Sequence, residues 1–286
     1  MAHDSRLPLS LPVARSDSGD RPNFDLKEEI REYWSKRAET FDLSWGHGIH
    51  SDAELDAWSG LFADHLALRP GSRVLELASG TGEVTRILLH LGCEVDGIDL
   101  CEPMIARART KHFGAKARFH LGDAENTLMP GGSYDAVVCR HLVWTLIDPE
   151  RAFADWFRVL KPGGSLLIAD GDWVTKSWRS AALRWFSSVI DRCIQAPRLD
   201  DQSAHERIIR RVYFRDGLRA HRLMEMLGAS GFADLRSGSL SPVKRQQFAS
   251  ASWKERLHIL ATYDHAFIVS ARKPAAPAQS PKRGRT

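Results

Sequence analysis

The chain has 286 residues, 43% of them hydrophobic, with four cysteines and a formal charge of +4. That is enough for one α/β domain with a full core plus appendages. No apolar run nears the roughly twenty residues a membrane span needs, and Leu7-Pro8-Leu9-Ser10-Leu11-Pro12 is too short and proline-broken for a signal peptide. Cys93, Cys101, Cys139 and Cys193 form no Cys-x-x-Cys pair, so core thiols of a cytoplasmic protein are expected, with no disulfide and no metal site. The basic tail (Arg272, Lys273, Lys282, Arg283, Arg285) accounts for the positive charge, and the body from 24 to 271 is near −1. A nucleic-acid enzyme usually shows a broad basic face, so no nucleic-acid partner is expected.

Residues 1–23, rich in Pro, Ser, Asp and Arg, read as disordered. A helical spacing begins at Asp25 with Leu26, Ile30, Tyr33, Trp34 and Ala38. An irregular stretch follows, Ser44-Trp45-Gly46-His47-Gly48-Ile49-His50, and then a second amphipathic helix on Leu55, Trp58, Leu61, Phe62 and Leu66. Together, residues 24–70 predict an N-terminal helical lid. Val74, Leu75 and Leu77 make a buried strand, which Gly80-Thr81-Gly82 breaks. Val84, Ile87, Leu88 and Leu91 recur at helical spacing, and a second strand from Val95 to Ile98 ends at Asp99. Pro103 sits early in the next helix, and Ala117–Leu121 is a third strand that ends at Gly122-Asp123-Ala124. Tyr134–Cys139 is a fourth strand, Asp148-Pro149 opens a helix, and Ser165–Asp170 is a fifth strand. Strands alternating with helices argue for a doubly wound parallel sheet with right-handed crossovers. Residues 171–231 read as a helical insertion. It is aromatic (Trp173, Trp178, Trp185, Phe186, Tyr213, Phe214) and carries eleven Lys or Arg against five acids from Lys176 to Arg222. Ala233–Arg236 and Phe267–Ala271 are the last strands, and 274–286 read as a disordered basic tail.

The stretch from 73 to 99 carries the chemistry. Glycines let backbone approach a ligand, and a helix N-terminus presents free N–H groups. An acid about twenty residues on can hold a ribose diol. The nicotinamide fingerprint wants a third glycine at position 85, where this chain has Thr85. Glu76 lies inside the strand, and a buried carboxylate is costly unless paired; a cationic ligand would supply the partner.

Glu76-Leu77-Ala78-Ser79-Gly80-Thr81-Gly82 resembles the first motif of the class I S-adenosylmethionine-dependent methyltransferases, with Ala78 in place of the first glycine. Pro130-Gly131-Gly132, Tyr134-Asp135 and Arg158 to Gly164 are similar to later motifs of that family, in the same order. The resemblance runs from about Tyr33 to Asp172. It implies a Rossmann-like seven-stranded mixed sheet whose last two strands form an antiparallel edge pair, with the methyltransferase domain spanning 71–273. It implies S-adenosyl-L-methionine as cofactor. Gly80 and Gly82 would meet its amino-acid end, with Ala78 in the same turn, and Glu76 would hold its ammonium. Asp99 would take the ribose hydroxyls and Leu100 would pack on adenine. Asp123 and Ala124 would read the adenine edge, and Arg140 would complete the cofactor set.

Ligands of open α/β sheets bind beyond the C-terminal strand ends. His141 and Asp172, after the fourth and fifth strands, are therefore the candidates for a base or orienting group. Trp34, His47, Trp144 and Trp173 are placed as acceptor walls, where cation–π attraction to a sulfonium would help. Arg207, Arg211 and Arg215 repeat every four residues as one basic stripe, and an inward Arg211 would hold an anionic acceptor. The leading expectation is methyl transfer to N, O or S of a small polar or anionic metabolite. A quinone or lipid C-methyltransferase is the alternative, and an inactive cofactor-binding regulator is the reading from another class. The expected partners are the small-molecule acceptor and a second copy of the chain.

Overall fold

Seven strands form one sheet in the order β3-β2-β1-β4-β5-β7-β6. They are β1 (Arg73–Leu77), β2 (Glu94–Asp99), β3 (Ala117–Leu121), β4 (Tyr134–Arg140), β5 (Leu160–Gly171), β6 (Ala233–Ser239) and β7 (Ala266–Arg272). This computed structural model describes residues 20–44, 46–174, 202–262 and 265–275. β1 to β5 run parallel, while β7 is antiparallel to both β5 and β6. The mixed sheet and its antiparallel edge are those the motifs implied.

Nine helices flank the sheet among the described residues: α1 (Asp20–Arg37), α2 (Asp52–His65), α3 (Glu83–His90), α4 (Glu102–Lys111), α5 (Pro149–Val159), α6 (Gln202–Arg211), α7 (Ala220–Ala229), α8 (Ser241–Ser250) and α9 (Trp253–Thr262). Strand alternation divides the core into two layers. Leu75, Leu77, Val137, Leu166 and Ile168 pack against Phe153 and Trp156 of α5 and Leu223 and Leu227 of α7. Val74, Val95, Val138, Leu167 and Ile268 face the other way, onto Trp58 and Phe62 of α2 and Ile87 and Leu88 of α3. A smaller cluster joins α1 to α6 through Leu26, Ile30, Tyr33, Ala204, Ile208 and Val212.

Several boundaries differ from the sequence reading. α1 starts at Asp20, five residues before the expected start at Asp25, and takes in the end of the stretch read as disordered. β5 begins at Leu160, because Gly163, at φ +78°, turns the chain while Leu160 already pairs with Tyr134. α8 and α9 lie between the last two strands, where no helix was expected; their apolar positions are few, and Val243 and Ile259 are the ones that reach the core. Residues 1–19, Trp45, the aromatic positions Trp178, Trp185 and Phe186 of the insertion, and 276–286 of the tail lie outside the described residues. No helix among the described residues is long and apolar enough to cross a membrane.

β1 is flanked by β2 on one side and β4 on the other, so the strand order reverses between β1 and β4. A crevice opens beyond the strand tips at such a point, and it positions the site.

Candidate active site

The turn from β1 to α3 is held by its own backbone geometry. Ala78, Gly80 and Gly82 adopt left-handed φ values of +51°, +53° and +87°. At position 78 the chain tolerates a residue with a Cβ, at some cost in strain. Gly80 N–H donates to Asp99 Oδ2 at 2.8 Å, and Cys101 N–H donates to Asp99 Oδ1 at 2.8 Å. Asp99 is thus tied to both flanking loops, while each carboxylate oxygen retains a second acceptor direction. Burial pushes the Asp99 carboxyl up, and the backbone N–H groups work against that. Glu76, one strand residue inward, is 1% exposed and accepts from the Thr85 hydroxyl. Its pKa is pushed up to about 8, chiefly by burial, with Thr85 and the Arg140 charge opposing.

These groups border a cavity enclosing ≈ 1030 Å³, its open mouth included. The floor carries Glu76, Glu83, Asp99, Asp123 and Glu125; Lys27 and Arg140 are the lysine and arginine side chains on its wall. Lys27, on α1, pairs with Asp123 and with Glu125 Oε2 at 2.8 Å. Residues 41–44 and 46–50 cover the opposite end. His141 Nε2 donates to Gly46 O at 3.1 Å, Arg140 Nη2 donates to His47 O, and Glu83 accepts from Ile49 N–H at 2.8 Å. His47 stacks on Phe41 with centroids 4.3 Å apart, and Trp34 meets Phe41, His47 and Trp144 edge to face. The remaining wall is mainly apolar, with Ile30, Leu142, Leu146 and Ile147 beside Thr145.

A family profile described as a methyltransferase domain matches residues 75–168. Residues 75–168 are a methyltransferase domain. A curated relative, the demethylmenaquinone methyltransferase of Thermus thermophilus, is 35% identical over 117 residues, 40% of this chain and 53% of that protein. The ubiquinone/menaquinone biosynthesis C-methyltransferase of Bordetella parapertussis is 29% identical over 174 residues, 58% of this chain and 65% of that protein. The chain thus spans between 53% and 65% of the first relatives it matches. Among solved structures, phosphoethanolamine N-methyltransferase 2 of Haemonchus contortus, in complex with phosphomonomethylethanolamine and S-adenosylhomocysteine, superposes with a TM-score of 0.57 at 18% identity, covering 86% of this chain and 61% of that one. A geranyl diphosphate methyltransferase in complex with GPP and sinefungin gives 0.55 at 17%, over 87% and 99%. At such identities these structures speak for the fold alone.

The methyltransferase cavity fits S-adenosylmethionine on its own chemistry. The cofactor bears an ammonium and a sulfonium, and the floor is rich in carboxylates. Its carboxylate needs a donor, and Arg140 Nη1 is buried without a hydrogen-bond partner in the protein. Ser79 Oγ is buried and unpartnered in the same wall.

Of the residues expected to meet the cofactor, Glu76, Ala78, Gly80, Asp99, Leu100, Asp123, Ala124 and Arg140 line this methyltransferase cavity. Gly82 does not. It caps the N-terminus of α3, and a Cβ there would lie 2.7 Å from the His112 ring, so its role is packing behind the wall. On the acceptor side, Trp34, His47 and His141 line the cavity. Trp144 and Trp173 stand behind His141: the Trp144 indole donates to His141 O at 3.1 Å, and the Trp173 ring meets the His141 ring at 5.1 Å.

Two expectations need correcting. The Asp172 carboxyl turns away from the cavity, accepting from Val174 N–H at 3.0 Å and lying against the Cα of Gly217, because β5 has already ended at Gly171. Arg211 donates to Glu29 Oε2 at 2.7 Å and Arg207 to Glu29 Oε1 at 3.2 Å, so the stripe faces α1 and solvent. Arg215 pairs with Asp216, and Arg222 sits over Tyr213. The buried face of α6 is apolar, which leaves the arginines outside.

His141 also differs from an ordinary general base. Burial pushes its pKa down to about 3, and the nearby Arg140 charge adds to that. A neutral imidazole that donates through Nε2 leaves Nδ1 as an acceptor. Sequence reasoning missed Lys27, Glu83 and Glu125, which have no motif and meet the cavity only through packing of α1, α3 and the loop after β3.

Proposed function

We propose that this chain transfers the methyl group of S-adenosylmethionine to a carbon of an apolar acceptor of the quinone or prenyl-lipid class. The carrying observation is the composition of the acceptor side. Ile30, Trp34, Leu142, Leu146 and Ile147 line it beside Thr145, and Arg207 and Arg211 of the stripe expected to hold an anion donate to Glu29 instead. The curated relatives named as demethylmenaquinone and ubiquinone/menaquinone C-methyltransferases support the same choice over the small polar acceptor.

In this reading Asp99 offers its remaining lone pairs to the ribose, Glu76 sits near the ammonium and Arg140 Nη1 takes the carboxylate. The cofactor would supply an activated methyl group on sulfur: its C–S bond breaks with the electron pair going to a neutral thioether as the methyl bonds the ring carbon, and the proton of that carbon then leaves to solvent as the ring regains aromaticity. The protein then has to hold donor and acceptor in line at about 3 Å and keep water out. The apolar wall and the cover of 41–44 and 46–50 exclude water. His141 Nδ1 accepts a hydrogen bond from an acceptor hydroxyl and fixes the ring, and its depressed pKa makes it an orienting group.

The test offers methyl-labelled S-adenosylmethionine with either 2-prenyl-1,4-dihydroxynaphthalene or phosphoethanolamine, and identifies products by mass. A C-methylated naphthalene supports the proposal. Label on phosphoethanolamine alone restores the polar-metabolite reading, and binding of cofactor without label on either probe counts against the proposed acceptor class.

A further inference from the structure

Asp170, at the tip of β5, is fully buried and does not line the cavity. Its carboxylate nevertheless collects four donors. Oδ2 accepts from Val143 N–H at 2.8 Å and from Trp144 N–H at 3.4 Å. Oδ1 accepts from Gly171 N–H at 2.8 Å and from Trp173 Nε1 at 2.9 Å. Every donor except Gly171 belongs to the shell around the acceptor side. Residues 140–142 and 145–147 line the cavity, and 143–144 are the buried middle of that segment. His141 itself sits at φ +57°, a backbone state that persists only where its surroundings enforce it. Two of its neighbours are bonded to Asp170: Trp144, held by its backbone N–H, whose indole donates to the His141 carbonyl, and Trp173, held by its indole N–H, whose ring abuts the imidazole.

We infer that Asp170 is a positioning residue that sets the acceptor wall, and with it the orientation of His141, from behind. The inference rests on the reading of 140–147 as the acceptor side. The far end of the wall is held by a second carboxylate, since Glu125 Oε1 accepts from Ile147 N–H at 2.6 Å and from Asp148 N–H at 3.3 Å. Glu125 also lines the cavity and pairs with Lys27, so its removal mixes several effects. Asp170 acts on the wall alone. A carboxylate suits the place because four N–H groups converge on it, and each of its two oxygens accepts two bonds. An amide would turn an NH₂ toward two of those donors.

The experiment compares wild type with Asp170→Asn, and with Trp173→Phe in case the first variant fails to fold. Trp173→Phe removes one of the four donors and keeps a ring against His141. Amide hydrogen exchange read by mass spectrometry on the segment 141–148 needs no acceptor. Exchange there should rise at least tenfold in Asp170→Asn and about threefold in Trp173→Phe, while the glycine turn at 78–82 and the cofactor Kd stay within twofold. With 2-prenyl-1,4-dihydroxynaphthalene as probe, acceptor KM should rise at least tenfold in Asp170→Asn. Unchanged exchange in 141–148, or an equal loss of cofactor affinity, overturns the inference. If the wild type methylates no such probe, the proposed acceptor class fails, while the exchange data still decide the role of Asp170.

Discussion

Gly80 and Asp99, which hold the cofactor turn together, are 19 residues apart in the chain, and Asp99 reaches Cys101 only two residues on. The acceptor side is assembled differently. Arg140 holds a carbonyl 93 residues away and His141 one 95 residues away, while α1 contributes Ile30 and Trp34 and β5 backs the wall through Asp170. The first region is fixed by strand, turn and helix N-terminus acting locally. The second exists only after α1 and residues 41–44 and 46–50 have packed onto the strand tips. Local damage should therefore propagate differently in the two.

The largest effect is expected at Gly82. Its φ of +87° and the 2.7 Å approach of the His112 ring leave no room for a methyl group. Gly82→Ala should cost about 2 kcal/mol or more, read as a fall of about 5 °C or more in a thermal melt. A melt unchanged within one degree would show that α3 and α4 shift freely. Next comes Asp99→Ala, which should weaken cofactor binding at least tenfold by calorimetry, about 1.4 kcal/mol, and leave hydrogen exchange in 141–148 as it was. Loss of protection in both regions would erase the distinction between them.

Glu76 tests the buried charge. Its folded pKa of about 8 lies above the unfolded value of 4.5. The group's contribution to stability is therefore fully present below about pH 4.5 and lost as pH rises through about 8. Glu76→Gln should raise the melting temperature of the free protein by a few degrees at pH 8.5 and little at pH 4.5, and should weaken the cofactor. Equal shifts at both pH values would mean that Glu76 is solvated in the free protein. The smallest effect belongs to Lys27→Met. Partly exposed ion pairs contribute about 0.2–1 kcal/mol, so cofactor affinity should fall about threefold and become less sensitive to salt. A tenfold loss would give α1 a larger share in holding the cofactor than its pairs account for.

The same contrast explains what the sequence disclosed. The apolar run, the glycines and the acid at the strand tip lie close together in the chain, so the fold was readable, and Glu76, Ala78, Gly80, Asp99 and Leu100 come to border one cavity. Gly82 was misplaced because a glycine needed for a tight helix approach looks the same in sequence as one needed by a ligand. Asp172 and Asp170 are two residues apart on opposite sides of where β5 ends. The one that matters is the buried one, and periodicity does not locate a strand end that closely. Arg211 was read inward because a stripe at four-residue spacing defines a helix face without saying what that face meets. Lys27 and Glu125 carry no pattern at all; only the packing of α1 over the loop after β3 brings them together.

The antiparallel closure of the sheet has a further consequence. β5 pairs with β7 from Ser165↔Arg272 to Gly171↔Ala266, so the chain leaves the sheet after β5, lays down the edge strand β6 and returns between the two as β7. The entropy of closing such an excursion grows with the logarithm of its length, about 0.6 kcal/mol for a doubling. Changes in its length outside α7 and β6 should therefore cost the fold little, and none of its described residues lines the cavity. β7 is thus the clasp that closes the sheet around a stretch whose length is free to vary.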